Sequence, residues 1–265
     1  MRTAFGLDLS GYSTGKSALA KAMVDDDGLV TVAILTGNVF QQEINGGNPL
    51  LGHANEEAEY LRGLIEEGPL YIDVPIDLQD LPIPERPQYV WQLTKRPVDQ
   101  AFGGLPPLAD RLGACVARMQ NLWRLLQANG YGDPLGHRIF ETYPAGSLKC
   151  ANETHEKYKG RAQCNEQDQW QAGREGNDRD DTMAQLLNRL QWTGEADGFS
   201  LTHDEFDAAL CALTGVCERL EGPALTQMIN ERLGNDYPVP AGYVLLKGIP
   251  QNVRVYVRTW QELER

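Results

Sequence analysis

AFGLDLSGYSTGKS, residues 4–17, alternates small and apolar side chains and then breaks into a glycine-containing loop. Successive strand residues point to opposite faces, so Phe5, Leu7 and Leu9 share one face and Ala4, Gly6 and Asp8 the other. That puts a carboxylate on a face of small residues. Such a group is costly to bury unless a metal ion, a cation or hydrogen bonds compensate it. The plainer role is a loop cap, with Asp8 accepting from Ser10 or Gly11.

The same stretch contains part of a phosphate-binding loop pattern, GxxxxGK[ST] between a strand and a helix. Gly15, Lys16 and Ser17 match, but Ser10 stands where the first glycine belongs. Residues 17–24 and 29–35 are apolar runs separated by Asp25-Asp26-Asp27-Gly28, which predicts a hairpin and not the helix such a loop requires.

The chain has 265 residues, 42% of them hydrophobic, enough for one sizeable core, and we expect a single domain over 1–265. No long apolar segment follows Arg2, and no uncharged run of about 18 residues could span a membrane. A cytosolic (cytoplasmic) protein is expected. Cys115, Cys150, Cys164, Cys211 and Cys217 form no CxxC pair, so neither a disulfide framework nor a zinc knuckle is suggested. The formal charge of −13 argues against broad attraction to nucleic acid, whose nonspecific binding depends on Lys and Arg neutralising phosphates. A nucleic-acid partner would need a local basic patch or metal ions.

Residues 55–67 carry apolar positions at helical spacing and stop at Gly68-Pro69. Residues 70–76, LYIDVPI, read as a second acid-bearing strand containing Asp73. Residues 77–107 show no period and are expected to be an irregular excursion; their TKRP segment supplies Lys95 and Arg96. Residues 108–127 read as a helix ended by Asn129-Gly130. HRIFETY, residues 137–143, is a third acid-bearing strand with Glu141, followed by a helix from Pro144. Residues 152–200 read as a second excursion. Within it 152–181 is polar, with Lys157, Lys159 and Arg161, and a helix over 182–191 is capped by Asp180 or Asp181. The strongest helix is 202–220, with Thr202 and Glu205 as a capping box. Asp207 lies at the edge of its apolar stripe and Asp204 one turn earlier.

Asp8, Asp73 and Glu141 each sit near the carboxyl end of a short strand. If those strands run parallel, their ends converge on one sheet edge, and Asp204 or Asp207 adds a fourth acid from a covering helix. Converging carboxylates repel one another unless divalent cations bind, and oxygen-only ligands suit Mg²⁺ or Mn²⁺. Phosphodiester hydrolysis by a carboxylate-held metal is the expected chemistry, with Lys95, Arg96, Lys157, Lys159 or Arg161 holding the substrate backbone.

GLDLSG, IDVPI, ETYPAGSL with YKG downstream, DEFDAALCALTG and PAGYVLL resemble, in order and wording, a domain-of-unknown-function family of predicted nucleases with RNase H-like fold. The DEFDAAL motif is also similar to the carboxyl-terminal acid helix of RuvC-type junction resolvases. The resemblance implies a mixed five-stranded α/β sheet, antiparallel at the start and then parallel, with helices on both faces and insertions. It implicates Asp8, Asp73, Glu141 and Asp207, with Asp204 as an extra metal ligand; Asp73 stands where resolvases more often have glutamate. Two other readings stay open. One is an actin-like kinase or ATPase relative using Ser13, Thr14, Gly15 and Lys16 on nucleotide phosphates. The other is a noncatalytic binding module on the same fold.

Overall fold

The computed structural model describes residues 2–11, 17–35, 44–45, 48–49, 51–78, 95–131, 133, 135–151, 158–173, 178–249 and 253–260. Strands β1 (Arg2–Asp8), β2 (Ala18–Val24) and β3 (Leu29–Leu35) form an antiparallel meander. Its second turn is built as the acidic run predicts. Asp25 Oδ1 accepts from the amides of Asp27 at 3.0 Å and Leu29 at 2.8 Å, and Gly28 takes a φ of 77°. Because β2 follows Ser17 directly, the phosphate-loop helix is excluded; the loop's residues 12–16, including Ser13, Thr14, Gly15 and Lys16, lie outside the described residues.

A two-residue ladder, β4 (Ile44–Asn45) with β5 (Asn48–Pro49), precedes α1 (Leu51–Glu67). Strands β6 (Leu70–Ile72) and β7 (Ile139–Glu141) then add to the β1 edge in parallel. Between them run α2 (Pro97–Phe102) and α3 (Asp110–Leu126), the latter continuing into a π-helical turn, Gln127–Tyr131. The presence of α2 corrects the expectation that residues 77–107 are irregular throughout. At six residues it is too short to show a period, and it is bounded by Pro97 in its first turn and Gly103 at φ 71°.

After β7 come α4 (Pro144–Cys150), β8 (Arg161–Cys164), β9 (Trp170–Ala172), α5 (Asp178–Arg189), β10 (Thr193–Gly194) and β11 (Ser200–Thr202). Then follow α6 (His203–Val216), β12 (Arg219–Leu220), α7 (Pro223–Leu233), β13 (Leu245–Leu246) and β14 (Arg254–Thr259). The stretch expected to be a polar loop, residues 152–181, therefore holds β8 and β9, which join β11 in a second sheet of order β11-β8-β9. Its core residues Ala162, Cys164, Trp170 and Leu201 alternate over so few positions that composition conceals them. Asp180 is not a cap but a buried member of the first turn of α5, accepting from the Arg161 amide at 2.8 Å.

The main sheet has seven strands in the order β10-β14-β3-β2-β1-β6-β7, two more than the five expected. The addition is at the β3 edge, where β14 and then β10 join in parallel. One face packs α1 and α3 against Phe5, Leu7, Leu70, Ile72 and Ile139. The other packs α6 against Ala4, Ala20, Ala22, Tyr71 and Phe140. Burial of Phe206, Leu210 and Leu213 on α6 contributes roughly 1.5–3 kcal/mol each.

Small residues let α6 lie almost on the backbone of β1. A Cβ added to Gly6 would stand 2.1 Å from Ala208 O and 2.3 Å from Ala212 N, and one on Gly215 would stand 2.3 Å from Ala4 Cβ. The capping box at its start is formed, with Glu205 Oε2 accepting from the Thr202 amide at 2.7 Å and Thr202 Oγ1 from the Glu205 amide at 3.3 Å. The helix ends at Val216 and not at residue 220, because Cys217 is extended and Arg219–Leu220 pairs with β13 instead.

Candidate carboxylate site

The register of three neighbouring strands decides which acids meet. Leu7 pairs with Ile72 and Ile72 with Glu141. The ladder extends one step further, through Asp73 N to Leu7 O at 2.9 Å and Thr142 N to Ile72 O at 3.0 Å. Asp8, Asp73 and Thr142 therefore form one row on the α6 face, whereas Glu141 shares the opposite face with Ile72 and Ile139.

Asp207, buried on α6, faces Asp8 and Asp73. Its Oδ1 accepts from the Tyr158 hydroxyl at 2.6 Å and its Oδ2 from the Lys159 ammonium. Asp204, one turn earlier, has Oδ1 3.0 Å from His203 Nε2. Burial drives Asp8 well above the carboxylate range, with Asp73, Asp207 and Asp204 adding to the shift and Lys159 opposing it. Burial and then Asp207 push Asp73 up to about 8, again against Lys159. Asp204 goes the other way, since the hydrogen bond from His203 outweighs burial and a hydrogen bond with Asp8 lowers it further. Lys159 is raised: burial disfavours its charge, but Asp207, Asp73 and Asp8 outweigh burial.

The Tyr158-Lys159-Gly160 segment is held from both sides. Gly160 O accepts from the His203 amide at 2.9 Å, and a Cβ at Gly160 would stand 2.6 Å from Asp180 Oδ1. Buried Asp180 thus serves to seat the segment that carries Lys159. The loop after Asp8 is closed at its base by Ser17 Oγ, which accepts from the Ser10 amide at 3.1 Å, and by Arg118, which donates to Ser10 O at 2.8 Å. The Ser10 amide is therefore taken by Ser17 and not by Asp8.

Glu141 stands apart from this row. Arg96 Nη1 donates to its Oε2 at 2.9 Å, Arg96 Nη2 donates to its Oε1, and the Ile76 amide donates to Oε2 at 2.8 Å. Arg96 also binds Asp99 Oδ1 and Oδ2, each at 2.9 Å, and Asp77 O at 2.9 Å. Both members of the pair are almost wholly buried. Two expectations are corrected by this. The strand-end position of Glu141 leaves it one residue short of the Asp8 row, and Arg96 is an interior side chain without access to a substrate. Lys95 is half-buried and Arg161 exposed, while Lys157 lies outside the described residues.

Sequence reasoning missed Thr142, Tyr158 and Arg118, and gave Asp180 the role of a helix cap. Thr142 Oγ1 is buried and, among the described residues, has no hydrogen-bond partner, an orphaned hydroxyl in line with Asp73. Its only sequence signal was its place immediately after Glu141. As they stand, and among the described residues, no three His, Cys, Asp or Glu side chains are spaced to hold a metal ion. The donor set nevertheless suits a hard dication. Asp8, Asp73, Asp204 and Asp207 offer only oxygens, and Lys159 already supplies positive charge beside them.

A solved structure of RuvC from Thermus thermophilus is similar to this chain over 89% of its length and 99% of RuvC, at 13% identity and a TM-score of 0.33. No family model and no curated protein matches the chain. Among the described residues no helix is long and apolar enough to cross a membrane.

Proposed function

We propose that this chain is an RNase H-like, metal-dependent nuclease, with Asp8, Asp73, Asp204 and Asp207 holding Mg²⁺ or Mn²⁺. The observation that carries the reading is the Asp8–Asp73 row on adjacent parallel strands, facing Asp207 on a helix pressed against β1. The strand order β3-β2-β1-β6-β7, antiparallel and then parallel, supports the fold assignment, with β14 and β10 as an extension. When bound, the dication supplies neutralising charge and an acidified water for attack on phosphorus.

The chain's own groups prepare that chemistry. Burial and the neighbouring carboxylates make ionisation of Asp8 and Asp73 unfavourable, and a bound cation would relieve both. Tyr158 fixes the rotamer of Asp207 through its hydroxyl. The Lys159 side chain is about half exposed, 48%, so its ammonium would be free to turn to a phosphate oxygen were Asp207 to hold a dication. The buried Thr142 hydroxyl is a donor beside Asp73 for a substrate oxygen or a water.

The test is Mg²⁺- and Mn²⁺-dependent cleavage of single-stranded, duplex, hybrid and branched nucleic acids by wild type, Asp8→Asn and Asp207→Asn. Cleavage lost in both variants is expected. Cleavage that persists in both would overturn the site assignment.

A further inference from the structure

Tyr143 stands where β7 turns into α4. Thr142, before it, continues the ladder through its amide to Ile72 O at 3.0 Å. Pro144 opens α4, and Tyr143 O accepts from the Ser147 amide at 2.9 Å. The ring is held on two sides. A Cβ at Gly146 would stand 2.6 Å from Tyr143 Cδ1, and Lys149 Nζ lies 5.8 Å from the ring centre. The apolar body of the ring packs against the cluster that includes Phe102, Tyr243 and Leu245, which leaves the hydroxyl as its polar tip.

That tip lies among the carboxylates. Asp73 is the charge that acts most on the phenol, followed by Lys159, Asp207 and Asp99. The Tyr158 hydroxyl, 2.6 Å from Asp207 Oδ1, also feels Tyr143. Neighbouring tyrosines show what such a hydroxyl does with a protein partner: Tyr158 donates to Asp207, and Tyr71 accepts from Arg219. Tyr143 differs. Among the described residues its hydroxyl makes no hydrogen bond, and the residue is only half-buried. A phenol at the edge of an apolar cluster ordinarily finds a partner, so a ligand oxygen is the one this hydroxyl lacks.

The ligand chemistry follows from the surroundings. Ionised carboxylates only accept, so an incoming phosphate is repelled there unless donors face it. Lys159 is one donor and Tyr143 a second, from a different element. Burial, then Asp73, pushes the phenol up to about 12, so it stays protonated and adds no further anion. Resting on the nuclease reading, we infer that the Tyr143 hydroxyl donates to a non-bridging oxygen of the substrate phosphodiester, beside Lys159, as a further catalytic residue.

The experiment uses the full chain as wild type, Tyr143→Phe, Tyr256→Phe and Asp8→Asn. Phenylalanine keeps the ring on Gly146 and removes only the hydroxyl. Tyr256, on β14, is the control, its hydroxyl 3.4 Å from Glu195 O. Metal-dependent kcat and KM are measured on oligonucleotides of the panel above, with oxygen or either phosphorothioate diastereomer at the cut bond. Tyr143→Phe should lower kcat/KM about 10- to 10²-fold, the loss of one hydrogen bond to a charged group, and Tyr256→Phe should not. The loss should shrink on one diastereomer, because sulfur is a weak acceptor, whereas a packing defect would act equally on all three substrates. Cleavage by Tyr143→Phe that matches Tyr256→Phe, or a loss equal on all three substrates, overturns the contact, while loss of cleavage in Asp8→Asn keeps the nuclease reading. If wild type cleaves nothing, the nuclease reading falls, and fluorescence anisotropy of labelled single-stranded DNA and RNA in Ca²⁺ decides the contact. Binding weakened in Tyr143→Phe but not in Tyr256→Phe keeps it; equal binding, or none, overturns it.

Discussion

Strands β6 and β7 are hydrogen-bonded neighbours, and each ends in an acid, yet Asp73 and Glu141 have opposite surroundings. Glu141 is enclosed by a guanidinium and an amide. Asp73 faces Asp8 and Asp207 and is pushed up to about 8. The cause is one residue of register: Glu141 aligns with Ile72, so it points to the other side of the sheet. A buried carboxylate with a full set of partners is a structural element. One that is crowded by other carboxylates is an unsolved electrostatic problem, and a cation is its natural solution.

Breaking the satisfied acid should have the largest effect on stability. Arg96→Met or Glu141→Leu alone strands a buried charge and should cost about 3–5 kcal/mol in urea unfolding. The double variant should regain part of that loss, the remainder reflecting the unpaired Asp99. Equal losses in single and double variants would mean that Arg96 and Glu141 are not coupled.

Breaking the crowded acid should act on activity instead. Asp8→Asn should lower metal-dependent cleavage by about 10²-fold or more, since a catalytic dication supplies several kcal/mol of charge stabilisation at about 1.36 kcal/mol per decade. Unfolding of the metal-free variant should show no loss of stability. A destabilised Asp8→Asn protein would make Asp8 a structural residue like Glu141.

The contact that brings the two elements of the site together can be loosened separately. Gly6→Ala forces a Cβ into the backbone of α6 and should cost about 1–3 kcal/mol by overpacking. It should also reduce cleavage by moving Asp207 away from Asp8. Full activity in a destabilised Gly6→Ala protein would mean that the close approach serves packing alone.

The smallest effect is the dependence on pH. Asp73 is raised in the fold from an ordinary 3.8 to about 8. A raised carboxylate favours folding below its unfolded pKa, and that contribution is lost as pH rises toward 8. Metal-free Asp73→Asn should therefore melt above wild type at pH 8 and alike near pH 3. Added Mg²⁺ or Mn²⁺ should close the gap at pH 8 by stabilising wild type more than the variant.

Much of this site was legible before any coordinates. The alternation around Asp8, the hairpin turn at residues 25–28 and the capping box of α6 are local patterns, and local hydrogen bonds build them as read. Asp207 and Asp204 stood out because they lie along the edge of the apolar stripe of α6, and Asp8 and Asp73 because each interrupts an apolar strand run. Glu141 was grouped with them for the same reason, and no feature of HRIFETY reveals how β7 slides against β6. Arg96 was grouped with the substrate-binding cations because its main partner, Glu141, lies 45 residues away in the chain.

What the sequence by itself determined is the set of elements and the chemistry they could carry: an acid at a strand end, small residues along β1 and α6, and a shortage of compensating charge. The tertiary structure decided which acids meet, which cation answers each, and that β14 and β10 widen the sheet to seven strands. The physical reason is that side-chain periodicity is a property of neighbours in the chain. Register, face and charge pairing belong to neighbours in space, and a shift of one residue between β6 and β7 changes all three.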